Sequence, residues 1–146
     1  MKKSGFDFIG FEDNYEISKV VLFGAPFDGT SSFKPGSRFG PNAMRDDSWA
    51  LESYSPYFDK DLNDLFLFDY GNLELPFGDK EKSITIIYEF IKKILRDKKI
   101  PIMLGGEHLV TFASVKALYE YYKELHIVHF DAHTDLRDHY LGEKFS

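Results

Sequence analysis

The sequence predicts an α/β protein with a mostly parallel sheet covered on both faces. Short apolar runs without polar alternation recur along the chain, and helical patterns separate them. Strands buried on both faces read this way. A third observation agrees. Each polar cluster directly follows a strand: Phe27-Asp28-Gly29, Asp69-Tyr70-Gly71, Glu107-His108, and Asp131 to Asp135. In open α/β sheets, ligands bind outside the carboxyl ends of the strands.

Val20-Val21-Leu22-Phe23 reads as the first strand, ending in Gly24-Ala25-Pro26-Phe27-Asp28-Gly29. A loop rich in Gly, Ser and Pro runs on to Gly40-Pro41. Pro41 suits the first position of a helix, which continues through Ala43, Met44 and Trp49. Leu65-Phe66-Leu67-Phe68 is the second strand, stopped by Asp69-Tyr70-Gly71-Asn72. The clearest helix comes next. Asp79 can cap it, and Ile84, Ile87, Tyr88, Ile91, Ile94 and Leu95 fall at helical spacing. Ile100-Pro101-Ile102-Met103-Leu104 is the third strand, with Pro101 near its start, where it is tolerated. Gly105-Gly106 ends it. A helix from about Leu109 to Lys123 follows, with Val110, Ala113, Ala117 and Tyr121 on one face. A fourth strand, Leu125 to His129, leads into Asp131.

The 146 residues suit one domain, residues 1–146, rather than two. A 43% hydrophobic content supports a packed core and argues against disorder. No apolar run approaches the roughly 20 residues of a membrane helix. Met1-Lys2-Lys3-Ser4-Gly5-Phe6 has no apolar stretch behind it, so no signal peptide is read there. With no cysteine, thiolate metal sites and disulfides are excluded, and the cytoplasm is the default compartment. The net charge of −6 and the lack of a basic patch argue against nucleic acid and suit a cationic substrate. The 15 Phe and 9 Tyr are therefore read as core and subunit contacts, not as base-stacking platforms.

His129-Phe130-Asp131-Ala132-His133-Thr134-Asp135 carries the most chemistry. In extended backbone, residues i, i+2 and i+4 point to one side. Asp131, His133 and Asp135 can thus aim two carboxylates and one imidazole at one point. Neighbouring carboxylates repel unless something positive lies between them, and this O/N donor set suits a divalent metal such as Mn, Fe, Co or Zn. His108, after two glycines, joins them if the third and fourth strands are neighbours. A carboxylate can bridge two ions, and a two-metal cluster activates water for attack. Four ligands do not fill two coordination spheres. His126 and His129, inside the strand, are expected to be packed or hydrogen-bonded rather than ligating, with His129 within reach of an outer shell. Arg137 and Lys144 are expected to be solvated. Asp28-Gly29-Thr30-Ser31-Ser32 lacks the Gly-Lys-Ser/Thr ending of a P-loop and is read as a structured wall of the site.

These motifs together resemble the ureohydrolase family of arginase, agmatinase and relatives. Gly105-Gly106-Glu107-His108 is similar to the family's Gly-Gly-Asp-His, and Asp131-Ala132-His133-Thr134-Asp135 matches its Asp-Ala-His-x-Asp. Gly24 to Ser31 and Pro35 to Pro41 resemble the agmatinase branch. The resemblance implies a three-layer α/β/α fold and a binuclear Mn²⁺ centre. His108 and Asp135 would bind one metal, His133 the other, and Asp131 would bridge. Asp131 and His133 would thus stand at the catalytic centre. The implied reaction is hydrolysis of a small cationic guanidino compound, agmatine first, to urea and an amine. The family's trimers and hexamers imply a homo-oligomer. Glu107 stands where the motif usually has Asp, and Leu109 where it usually has Ser. The family also carries a later Asp-x-Asp segment that supplies further ligands. Nothing after Asp135 provides it, so the expectation is a domain truncated on its C-terminal side. Arginine and guanidinobutyrate remain alternative substrates, and an inactive or metal-binding partial subunit is the alternative to an enzyme. Dinuclear phosphoesterases share Asp-Ala-His but need downstream segments that are not here.

Overall fold

The computed structural model describes residues 7–142, 144 and 145. Met1 to Phe6, where no signal peptide is read, lie outside the described residues, as do Glu143 and Ser146. Three parallel strands form the main sheet in the order β4-β1-β5: β1 (Val20–Ala25), β4 (Leu67–Asn72) and β5 (Ile100–Gly105). β1 is central. Val20 pairs with Leu67 on one side and with Ile100 on the other. A two-residue antiparallel pair, β2 (Tyr54–Ser55) and β3 (Lys60–Asp61), lies apart from it. Runs of two residues are too short to register as hydrophobic pattern, and the sequence reading did not include them.

The alternation of β1 sorts the two faces. Val21, Phe23 and Ala25 pack with Ile87, Ile91 and Ile94 of α2 (Lys80–Arg96) and with Val110, Ala113 and Ala117 of α3 (Leu109–Tyr121). Leu22 turns the other way, onto Phe11 and Leu67. Gly24 shares that side with α1 (Gly40–Ser48), since a Cβ on it would stand 2.9 Å from the Pro41 side chain. Helices therefore cover both sides of the sheet in three layers, as the resemblance implied. Asp79 caps α2 by accepting from the Lys82 backbone N–H at 2.9 Å. Among the described residues, no helix is long and apolar enough to cross a membrane.

Two boundaries move. The strand expected at Leu65 begins at Leu67 and runs through Asp69 to Asn72, the residues expected to stop it. Tertiary partners explain this: Asp69 meets Arg45 of α1, so a polar residue sits inside a strand. α3 ends at Tyr121 rather than Lys123.

The fourth strand is the main correction. Leu125 to His129 forms no ladder, and Ile127, Val128 and Phe130 are exposed. An apolar run becomes a strand only when a neighbour takes its backbone hydrogen bonds. No described strand pairs with β5 on the side away from β1, and Ile100 and Ile102 of β5 are exposed.

Candidate metal centre

The site forms at the carboxyl ends of β1 and β5. Past β5, the Gly106 N–H donates to the Ala25 carbonyl at 3.0 Å and the Glu107 N–H to the Phe27 carbonyl at 2.7 Å. Gly106 is required there, because a Cβ would lie 1.9 Å from the Phe27 carbonyl oxygen. His108 then immediately precedes α3, at φ −60° and ψ −29°.

The segment after α3 returns to His108 without joining the sheet. His108 Nδ1 lies 2.9 Å from Asp135 Oδ2. The His108 and His129 rings stand 5.2 Å apart, and His129 Nε2 is 3.5 Å from Asp131 Oδ2. One donor atom from each of His108, His129 and Asp131 lies within 4.8 Å of the others. The backbone N–H of His133 donates to Asp131 Oδ1 at 3.0 Å. That bond, helped by the neighbouring His129 and His108, holds the Asp131 carboxyl below its ordinary range. Asp135 adopts φ 52°, a left-handed conformation that Asp tolerates better than most residues.

Of the four expected ligands, His108 and Asp131 converge, and Asp135 meets His108. His133 stands apart, with its side chain 81% exposed and Nδ1 3.9 Å from Asp131 Oδ1. His129, expected to be packed or hydrogen-bonded inside a strand, is exposed beside His108 and close to Asp131 instead. The signal was in the sequence: His129 shares the i, i+2 alternation of Asp131, His133 and Asp135. Two imidazoles and two carboxylates at one rim fit a divalent ion in donor chemistry. An open groove of about 410 Å³ reaches from His108 and Phe112 to Asp135, Arg137 and Lys144. A second, of about 290 Å³, takes in Ser32, His133 and Tyr140. Arg137 and Lys144 line these open grooves and are exposed, as expected of solvated residues.

The wall of the site is held from beneath. Asp28 is buried and accepts from Arg38 Nε at 2.5 Å and from the Gly36 N–H at 2.7 Å. Thr30 and Ser31 donate to the Glu107 carboxylate.

A model of the family described as "Arginase family" matches residues 18–146. The chain is 50% identical over 143 residues to an agmatinase from Halalkalibacterium halodurans, covering 98% of this chain and 50% of that protein. An agmatinase from Bacillus subtilis is 49% identical over the same number of residues, 98% of this chain and 49% of its own length. The crystal structure of the agmatine ureohydrolase of Thermoplasma volcanium superposes with a TM-score of 0.89 at 38% identity, over 97% of this chain and 47% of that one. The chain thus spans about half the length of the relatives it matches. Family match, identity and fold agree along nearly the whole sequence: the chain belongs to the arginase family.

Proposed function

We propose that the protein is a metal-dependent amidinohydrolase that cleaves a guanidino compound, agmatine first, to urea and an amine. The observation that carries this reading is the convergence of His108, His129 and Asp131, with Asp135 against His108, at the strand ends of an agmatinase-like chain.

Two Mn²⁺ ions suit the donors. His108 and Asp135 would serve one ion, His133 the other, and Asp131 both. When bound, the pair supplies Lewis acidity and a water of lowered pKa. Asp131 can serve two ions because its carboxylate is ionised and oriented by the His133 N–H. Asp135 fixes the ring of His108 through Nδ1. The carboxylates also offer a cationic guanidinium a favourable field, in keeping with the net charge of −6. Residues 1–146 would act as one domain of a cytoplasmic homo-oligomer, a trimer or hexamer. The further ligands of the family's Asp-x-Asp segment would complete the centre.

The test is urea release by the full-length protein from agmatine, arginine and guanidinobutyrate. Urea should form fastest from agmatine, stop after chelation and return with Mn²⁺. Absence of urea from every guanidino compound, with two Mn²⁺ bound, would overturn the reading.

A further inference from the structure

We propose that Glu107 is a positioning residue for the metal centre, locking the turn that presents His108 to the Thr30–Ser31 loop. This rests on the reading above, because it takes His108 as a ligand. The Glu107 carboxylate gathers donors from across 77 residues of chain. The Thr30 backbone N–H lies 3.2 Å from Oε1 and 3.1 Å from Oε2. The Thr30 hydroxyl donates to Oε1, and the Ser31 hydroxyl to Oε2 at 2.9 Å.

The neighbouring backbone is pinned in the same direction. The Gly106 and Glu107 N–H groups extend the β1–β5 ladder onto Ala25 and Phe27, and Gly106 lies too close to Phe27 to carry a side chain. The turn therefore cannot rotate without breaking contacts on both the main chain and the Glu107 side chain. His108 is the next residue, and its side chain caps nothing in α3. That turn sets the point from which its imidazole projects, and Asp135 then holds the ring at Nδ1. The carboxylate also needs its charge. An amide in its place offers one acceptor oxygen, and its NH₂ group would face the Thr30 and Ser31 donors. The reach matters too, since an Asp would place its carboxylate one methylene further from Thr30 and Ser31.

Support residues behind metal ligands typically change metal affinity 10- to 100-fold when substituted. The experiment titrates Mn²⁺ into the full-length protein and records the Co²⁺-substituted absorption spectrum for Glu107→Gln, Ser31→Ala, His108→Ala and Asp79→Ala. Glu107→Gln should weaken Mn²⁺ binding about 10- to 100-fold and alter the Co²⁺ spectrum. Ser31→Ala removes a single donor and should move both readouts less, in the same direction; it carries the test if Glu107→Gln does not fold. Asp79→Ala weakens the α2 cap, where Asp79 accepts from the Lys82 N–H rather than from any group that holds Glu107, and should leave both readouts unchanged, which separates positioning from loss of stability. Unaltered affinity and spectrum in Glu107→Gln, or in Ser31→Ala where that variant carries the test, would overturn the proposal if His108→Ala loses metal. Full metal retention by His108→Ala would instead overturn the metal-site reading, and the proposal with it.

Discussion

Arg45 and Asp69 meet in the interior through two parallel hydrogen bonds, Nε to Oδ2 at 2.7 Å and Nη2 to Oδ1 at 2.9 Å. Asp69 has no exposed side-chain surface, and that of Arg45 is 6% exposed. The pair ties α1 to β4. Arg45 Nη1 adds a bond to Asn72 Oδ1 at 2.7 Å, and Asp69 also accepts from the N–H groups of Phe8 and Gly71. A buried ion pair of this kind does little for net stability against a well-packed apolar pair, but losing one partner strands the other charge.

Arg45→Met should therefore cost about 3–5 kcal/mol. Replacing Asp69 by Asn in the same background should recover part of that loss, because Asn still accepts hydrogen bonds without a stranded charge. Urea denaturation of the single and double variants measures both. A double variant no more stable than Arg45→Met would refute the stranded-charge account.

Asp28 gives a pH dependence. The hydrogen bond from Arg38, with further bonds from the Gly36 and Arg38 N–H groups, holds the Asp28 carboxyl below its ordinary 3.8. A depressed carboxyl contributes stability that is fully present above the unfolded value and is lost as pH falls through the folded value. Asp28→Asn should thus be less stable than the parent at neutral pH. The gap should close as pH drops through 3.8 and below. Denaturation midpoints along an acid series check this, and a constant gap would refute it.

Gly106→Ala should destabilise the fold by at least the 1–3 kcal/mol typical of overpacking. A Cβ there overlaps the Phe27 backbone, which cannot swing aside as a flexible side chain would. Thermal melting measures the loss. An unchanged midpoint would mean that the β1 and β5 ends are free to separate.

Asp131→Asn should remove most bound metal, since bridging needs charge on both oxygens. Elemental analysis of the purified full-length variant reads this directly. Full occupancy of both ions would count against Asp131 as the bridge.

Much of this protein was legible in the sequence because local chemistry decided it. Apolar runs without alternation marked β1, β4 and β5 as strands of a sheet covered on both sides, and helical spacing with Asp79 marked α2. Asp131, His133 and Asp135 suggested a divalent-metal site through residue type and spacing, and with His108 they carried the family resemblance; the fold sets Asp131 and Asp135 near His108 and leaves His133 apart. Tertiary structure decided the rest. A run such as Leu125–His129 has strand chemistry, but a strand exists only where a neighbour accepts its hydrogen bonds, and β5 offers no described partner on that side. Asp69 reads locally as a strand stop, yet it lies inside β4 because Arg45, 24 residues away, neutralises it. The partners of His129 and Glu107 were hidden for the same reason. Their roles depend on atoms contributed by His108, Thr30 and Ser31, and only the folded chain brings those within reach.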